Sequence, residues 1–112
     1  MNMSAIILDG KKLSKISEDL IKEKVKKLFL QNITPTLATI LVGNDPASET
    51  YVKMKRNTCA RVGMNSIAVE LPDTSTTNEV LSKINELNND NDVHGILLQH
   101  PVPSQIDERL MF

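Results

Sequence analysis

The chain has 112 residues, 40% of them hydrophobic and 24% charged, a composition ordinary for one folded domain with its own core. A net charge of -1 without a long basic run removes the electrostatic case for nucleic acid, so a small molecule is the expected partner. The single cysteine excludes an intrachain disulfide framework and a cysteine-based metal site, and the apolar runs, such as residues 6–8 and 96–98, are far too short to cross a bilayer. With no signal-type apolar stretch at the start, a reducing, cytoplasmic setting without a membrane partner is the expectation.

Residues 5–8 form a short extended run that stops at Asp9-Gly10. Leu13, Ile16, Leu20, Ile21, Val25 and Leu28 then recur at helical spacing, which predicts a long helix with residues 22–27 on its wet face. Residues 36–42, β-branched and apolar, end at Gly43-Asn44 as a buried strand would. Asp45 is suited to cap a second helix, Pro46 to occupy its first position and Gly63 to close it. Residues 66–71 predict another strand and residues 72–75 a turn. The capping box Thr76-x-x-Glu79 opens a third helix with Val80, Leu81, Ile84 and Leu87 facing inward, and residues 88–91 end it. The last strand is expected over residues 93–98. Prolines in Gln99-His100-Pro101-Val102-Pro103 then forbid a regular continuation, and a cis bond before either is uncommon, about 5–6% of such bonds. Residues 106–112 look like the first turns of another helix, and their abrupt apolar end reads as a truncated chain.

Repeated strand–helix alternation predicts an α/β domain of three layers, a mainly parallel sheet with helices on its faces. Ligands of such sheets sit beyond the carboxyl ends of the strands, which makes residues 43–46 and 99–103 the candidate walls of one site. Tyr51 and Lys55, four apart on the second helix, share a face, and Ser48 joins the same line. A flat ring beside a lysine amine can stack a planar heterocycle and move a proton, while Gln99 offers both a donor and an acceptor to orient the lysine or a ligand. By spacing alone the same pair also fits a half-buried ring and a solvated cation. His100 and Pro101 stand beside this group as further ligand contacts. His94 has no partner at metal-ligand spacing, so no metal is expected, and Cys59 reads as a small packed side chain. Tyr-x-x-x-Lys is also the spacing of short-chain dehydrogenases, but those resemble one another in a glycine-rich dinucleotide turn, and no G-x-G-x-x-G occurs here.

Two long motifs, Val42-Gly43-Asn44-Asp45-Pro46-Ala47-Ser48-x-x-Tyr51-Val52-x-x-Lys55 and Gly95-Ile96-Leu97-Leu98-Gln99-His100-Pro101-Val102-Pro103, stand in one order, with Leu8-Asp9-Gly10-Lys11 before them and Ile106-Asp107 after. Together they resemble the bifunctional methylenetetrahydrofolate dehydrogenase/methenyltetrahydrofolate cyclohydrolase family of one-carbon metabolism, over essentially the whole chain. The resemblance implies a folate-binding, catalytic N-terminal domain with an amino-acid-dehydrogenase-like fold over residues 1–112, followed in the full enzyme by a Rossmann NADP domain. It implies Lys55 as the catalytic lysine, Tyr51 as the ring that stacks on substrate and Gln99 as the lysine's support. It implies oxidation of 5,10-methylenetetrahydrofolate with NADP, hydrolysis of the methenyl product to 10-formyltetrahydrofolate, and a homodimer for the whole enzyme. His100 stands where a leucine is more usual in that family. The family's pterin-binding aspartate and its nucleotide-binding domain would lie beyond Phe112, so the 112-residue chain alone is expected to lack the NADP-dependent step. A noncatalytic α/β binding module is the competing expectation.

Overall fold

The computed structural model describes residues 5–111. Its elements run α1 (Gly10–Phe29), β1 (Thr36–Val42), α2 (Pro46–Val62), β2 (Asn65–Leu71), α3 (Thr77–Asn88), β3 (Gly95–Leu98) and a 3-10 turn at Glu108–Met111. The three strands form one parallel sheet in the order β2-β1-β3. Each crossover carries a helix. Because parallel crossovers are right-handed, stepping from β1 out to β2 and then back across to β3 puts α2 and α3 on opposite faces.

Alternation along β1 then assigns the core. Ala38, Ile40 and Val42 point to the α3 side, where they pack with Val80, Leu87, Leu98 and Ile106. Ala38, Ile40 and Val80 are fully buried, so this layer anchors the domain. At full burial each of the larger aliphatic side chains contributes about 1.5–3 kcal/mol.

The helix ends are built as their sequences dictate. Asp9 accepts from the Lys12 amide to start α1, and Asp45 accepts from the amides of Ala47 (2.9 Å) and Ser48 (3.1 Å) to start α2. Thr76 accepts from the Glu79 amide at 3.2 Å and opens α3. Gly63 closes α2 at φ 88°, a left-handed conformation in which the Met64 amide returns to the Cys59 carbonyl at 2.8 Å. A side chain at Gly63 would also crowd Val25, whose Cγ1 lies 3.2 Å from the position its Cβ would take.

Four expectations are revised. Residues 5–9 join no strand, and Ile6, Ile7 and Leu8 lie open to solvent. Along α1 only Val25 is buried; Leu13, Ile16, Leu20 and Ile21 are exposed because, among the described residues, only α2 packs on this helix to any extent. The last strand starts at Gly95 rather than Val93, since the Val93 amide is taken by a turn to the Asp90 carbonyl. The expected final helix is a single 3-10 turn, with the Leu110 amide returning to Asp107 three residues back and the Asp107 carboxylate capping the Arg109 amide. Phe112 lies outside the described residues. The bond between His100 and Pro101 is cis.

Candidate functional site

Chain direction brings the site together at one end of the sheet. β1 runs into Gly43, whose φ of 93° turns the chain toward α2, and whose amide donates to the Leu71 carbonyl at 2.9 Å. A Cβ there would press on the Asp73 side chain at 3.3 Å, so the close approach of the two loops also requires glycine. The Asp45 cap then fixes the start of α2, and with it the heading of Ser48, Tyr51 and Lys55. Across the sheet, the Gln99 amide donates to the Ile40 carbonyl at 2.9 Å, which carries the β1–β3 pairing one residue past β3 and aims the Gln99 side chain at α2.

The two sides meet in one short contact: Lys55 Nζ donates to Gln99 Oε1 at 2.7 Å. A charge-assisted bond of this length is among the stronger ones available to a lysine. The Gln99 Nε2 donates in turn to the His100 carbonyl at 3.0 Å, so the amide is held at both ends. Tyr51 lies with its ring centroid 5.6 Å from Lys55 Nζ and is 53% exposed, a ring with an open face beside a held amine. One of the three lysine donors is used by Gln99, which leaves the others to face a ligand.

Tyr51 and Lys55 line a mostly apolar cavity of about 580 Å³ together with Leu37, Met54, Thr58 and Ile96. That volume and lining suit a planar organic molecule held by few polar groups. Cys59, which contributes to the wall, is buried, and burial pushes its thiol above the ordinary thiol range. It therefore remains a neutral, packed side chain. A larger cavity of about 700 Å³ between α1 and α2 contains none of the candidate residues.

The other candidates fall around this centre in distinct ways. Ser48 is fully buried, and its hydroxyl donates to the His100 carbonyl at 3.2 Å, which ties the start of α2 to the proline loop. Pro101 borders a smaller cavity of about 220 Å³ with Gly43, Asn44, Asp45 and Asp73, so the two loops do form facing walls. His100 turns its ring toward the 3-10 turn, with Nε2 at 3.0 Å from Glu108 Oε2. His94 lies at the opposite end of the sheet, where its Nδ1 accepts from the Thr36 amide at 3.1 Å. Among the described residues no group of three or more His, Cys, Asp or Glu side chains is placed to hold a metal ion, and no helix is long and apolar enough to cross a membrane.

Sequence reasoning missed Met54 and Thr58 as lining residues. Each sits three positions after Tyr51 and Lys55 respectively, on the same helical face, so the signal was present in the spacing. Glu108 carried no such signal, because its approach to His100 depends on how the chain folds back after Pro103.

Residues 8–112 match the family described as "Tetrahydrofolate dehydrogenase/cyclohydrolase, catalytic domain". Proteins named "Bifunctional protein FolD" from Marinomonas sp. and Teredinibacter turnerae are 61% and 64% identical to the chain over 111 residues, 98% of its length. The chain spans about 40% of the length of each of these relatives. Among solved structures, the bifunctional FolD methylenetetrahydrofolate dehydrogenase/cyclohydrolase from Campylobacter jejuni superposes with a TM-score of 0.94 at 44% identity, covering 96% of this chain and 38% of that one. The Trypanosoma brucei methylenetetrahydrofolate dehydrogenase-cyclohydrolase, solved with NADP cofactor and an inhibitor, gives 0.85 at 31% identity, covering 96% of this chain and 37% of that one. With the family matched across all but the first seven residues, and with the Tyr51–Lys55–Gln99 group assembled at the sheet end, the chain belongs to the tetrahydrofolate dehydrogenase/cyclohydrolase family, as its catalytic domain.

Proposed function

We propose that this chain is the folate-binding catalytic part of a bifunctional enzyme that oxidises 5,10-methylenetetrahydrofolate to the methenyl form and hydrolyses that to 10-formyltetrahydrofolate. The observation that carries the reading is the 2.7 Å contact between Lys55 and Gln99 beside the open face of Tyr51. A folate offers a planar pterin and an aminobenzoate ring, and stacking one of them on Tyr51 places its reactive carbon in reach of the lysine. Hydrolysis of the methenyl cation needs water added at that carbon and a proton moved as the ring opens. Lys55 is the group in position to move it, and Gln99 restricts where its amine points.

Dehydrogenation needs a hydride acceptor, and NADP supplies that chemistry when bound. The residues of this chain do not fit a dinucleotide: its four glycines, at 10, 43, 63 and 95, form no G-x-G turn, and the turn after β1 is closed by the Asp45 cap and Asp73. NADP binding is therefore assigned to a Rossmann domain outside these residues, and the contribution of this chain to that step is to hold the folate in place. The whole enzyme is read as a cytoplasmic homodimer. Lys55→Ala in the full-length protein tests the reading: cyclohydrolase turnover is expected to collapse while the fold, followed by circular dichroism, is kept. Undiminished turnover in that variant would take Lys55 out of the chemistry, and a wild-type protein without turnover would return the chain to the class of noncatalytic binding modules.

A further inference from the structure

Gln99 can support Lys55 only if its amide presents Oε1, and not Nε2, to the amine. The structure shows what fixes that choice: Nε2 is engaged by the His100 carbonyl at 3.0 Å, which also accepts from Ser48 Oγ at 3.2 Å. The position of the His100 carbonyl thus decides the orientation of the Gln99 amide. His100 is itself held through its ring, with Nδ1 at 3.2 Å from the Leu98 carbonyl and Nε2 at 3.0 Å from the Glu108 carboxylate. Both partners are acceptors, and a single proton on Nε2 is enough for the ring to donate to the Glu108 carboxylate. The ring then bridges the end of β3 to the 3-10 turn.

We propose that Glu108 is a positioning residue for the active site, acting through His100 to hold the Gln99 amide in the orientation that supports Lys55. This extends the reading given under Proposed function and rests on it for its kinetic consequence. Glu108 is nine residues beyond Gln99, and its carboxylate meets the His100 ring rather than the Lys55–Gln99 pair. The pair is partly solvent-exposed, at 43% for the His100 side chain and 49% for that of Glu108, so its influence is small but specific.

The test uses the full-length protein. Glu108→Ala and His100→Leu are each expected to lower cyclohydrolase kcat about two- to fivefold with KM unchanged, the range set by exposed ion pairs. The double variant should be no slower than either single one, because both remove the same bridge. Glu108→Gln, which keeps an acceptor oxygen, should recover most of the loss. Independently of turnover, the Gln99 side-chain amide resonances, identified by their absence in Gln99→Leu, should move in Glu108→Ala. Additive losses, a rise in KM alone, or an unmoved Gln99 amide would each overturn the proposal. If the wild-type protein showed no cyclohydrolase activity the proposed function would fail, and the Gln99 resonances would still decide whether Glu108 positions that amide.

Discussion

The two ends of the sheet spend their polar side chains differently. At the start of the strands, the His94 ring accepts the Thr36 amide and replaces a missing ladder partner, so the imidazole is used up in completing the backbone. At the far end the backbone closes on itself, through Gln99 to Ile40 and Gly43 to Leu71. The side chains of Lys55 and Gln99 are thereby freed to bind each other at the edge of an apolar cavity. Gln99 Nε2 and Ser48 Oγ are still engaged there by the His100 carbonyl, but among the described residues the Lys55 amine bonds to a side chain and to no backbone group.

Substitutions at the two ends should therefore separate activity from stability. The largest effect is expected from Lys55→Ala in the full-length protein, a loss of about 10²–10⁴-fold in cyclohydrolase kcat with the thermal midpoint kept, measured by steady-state turnover beside thermal denaturation. Next comes Gln99→Leu. Removing a hydrogen bond to a charged group costs about 1.5–3 kcal/mol, which corresponds to roughly ten- to hundredfold in kcat if the lysine needs that support. At the opposite end, His94→Ala should do the reverse. It leaves the Thr36 amide without its acceptor, at about 1 kcal/mol of stability, and spares turnover, so a variant that is stable yet slow would break the contrast. Asp45→Ala lies between the two classes, since the cap it provides is worth about 1 kcal/mol and also sets the heading of Tyr51 and Lys55; denaturation and kcat should fall together.

The smallest effect is expected far from both ends, at the exposed pair that joins α1 to α2. The hydrogen bond from Arg61 at 2.9 Å holds the Glu18 carboxyl below the usual carboxylate range. A carboxyl lowered on folding stabilises the fold above its unfolded value, and that contribution is lost as pH falls through the folded one. Arg61→Ala should accordingly reduce stability slightly at neutral pH and flatten its decline in acid. A pH titration of thermal stability checks the sign, and an unchanged acid limb would remove the pair from the account.

Local features of the fold were legible because each rests on neighbours in sequence. Asp45-Pro46, Gly63 and Thr76-x-x-Glu79 placed helix ends correctly, since a cap is decided within four residues. Residues 36–42 were read as a strand with the bounds found, because a β-branched apolar run between turn residues has few alternatives. The pairing of Tyr51 with Lys55 followed from helical spacing, and the motifs around it pointed to the family. Misreadings occurred where partners were distant. Periodicity in α1 predicted an apolar face without saying what would cover it, and the described residues leave most of that face exposed. Residue 93 looked like strand until the Asp90 carbonyl claimed its amide, whereas the His94 amide still donates to the Thr36 carbonyl at the start of β1.

By itself, the sequence determined the order of elements, their caps and the parallel α/β class, and it put Tyr51 and Lys55 on one helical face. Tertiary structure alone decided that Gln99 reaches Lys55 across 44 positions of chain, that Ser48 is spent on the His100 carbonyl, and that His100 turns to Glu108. The reason is the range of the interactions involved. Helix caps and strand runs are settled by contacts a few residues apart. A side chain's hydrogen-bond partner across the sheet is fixed only when strand order, register and crossover hand have brought two distant segments to one place.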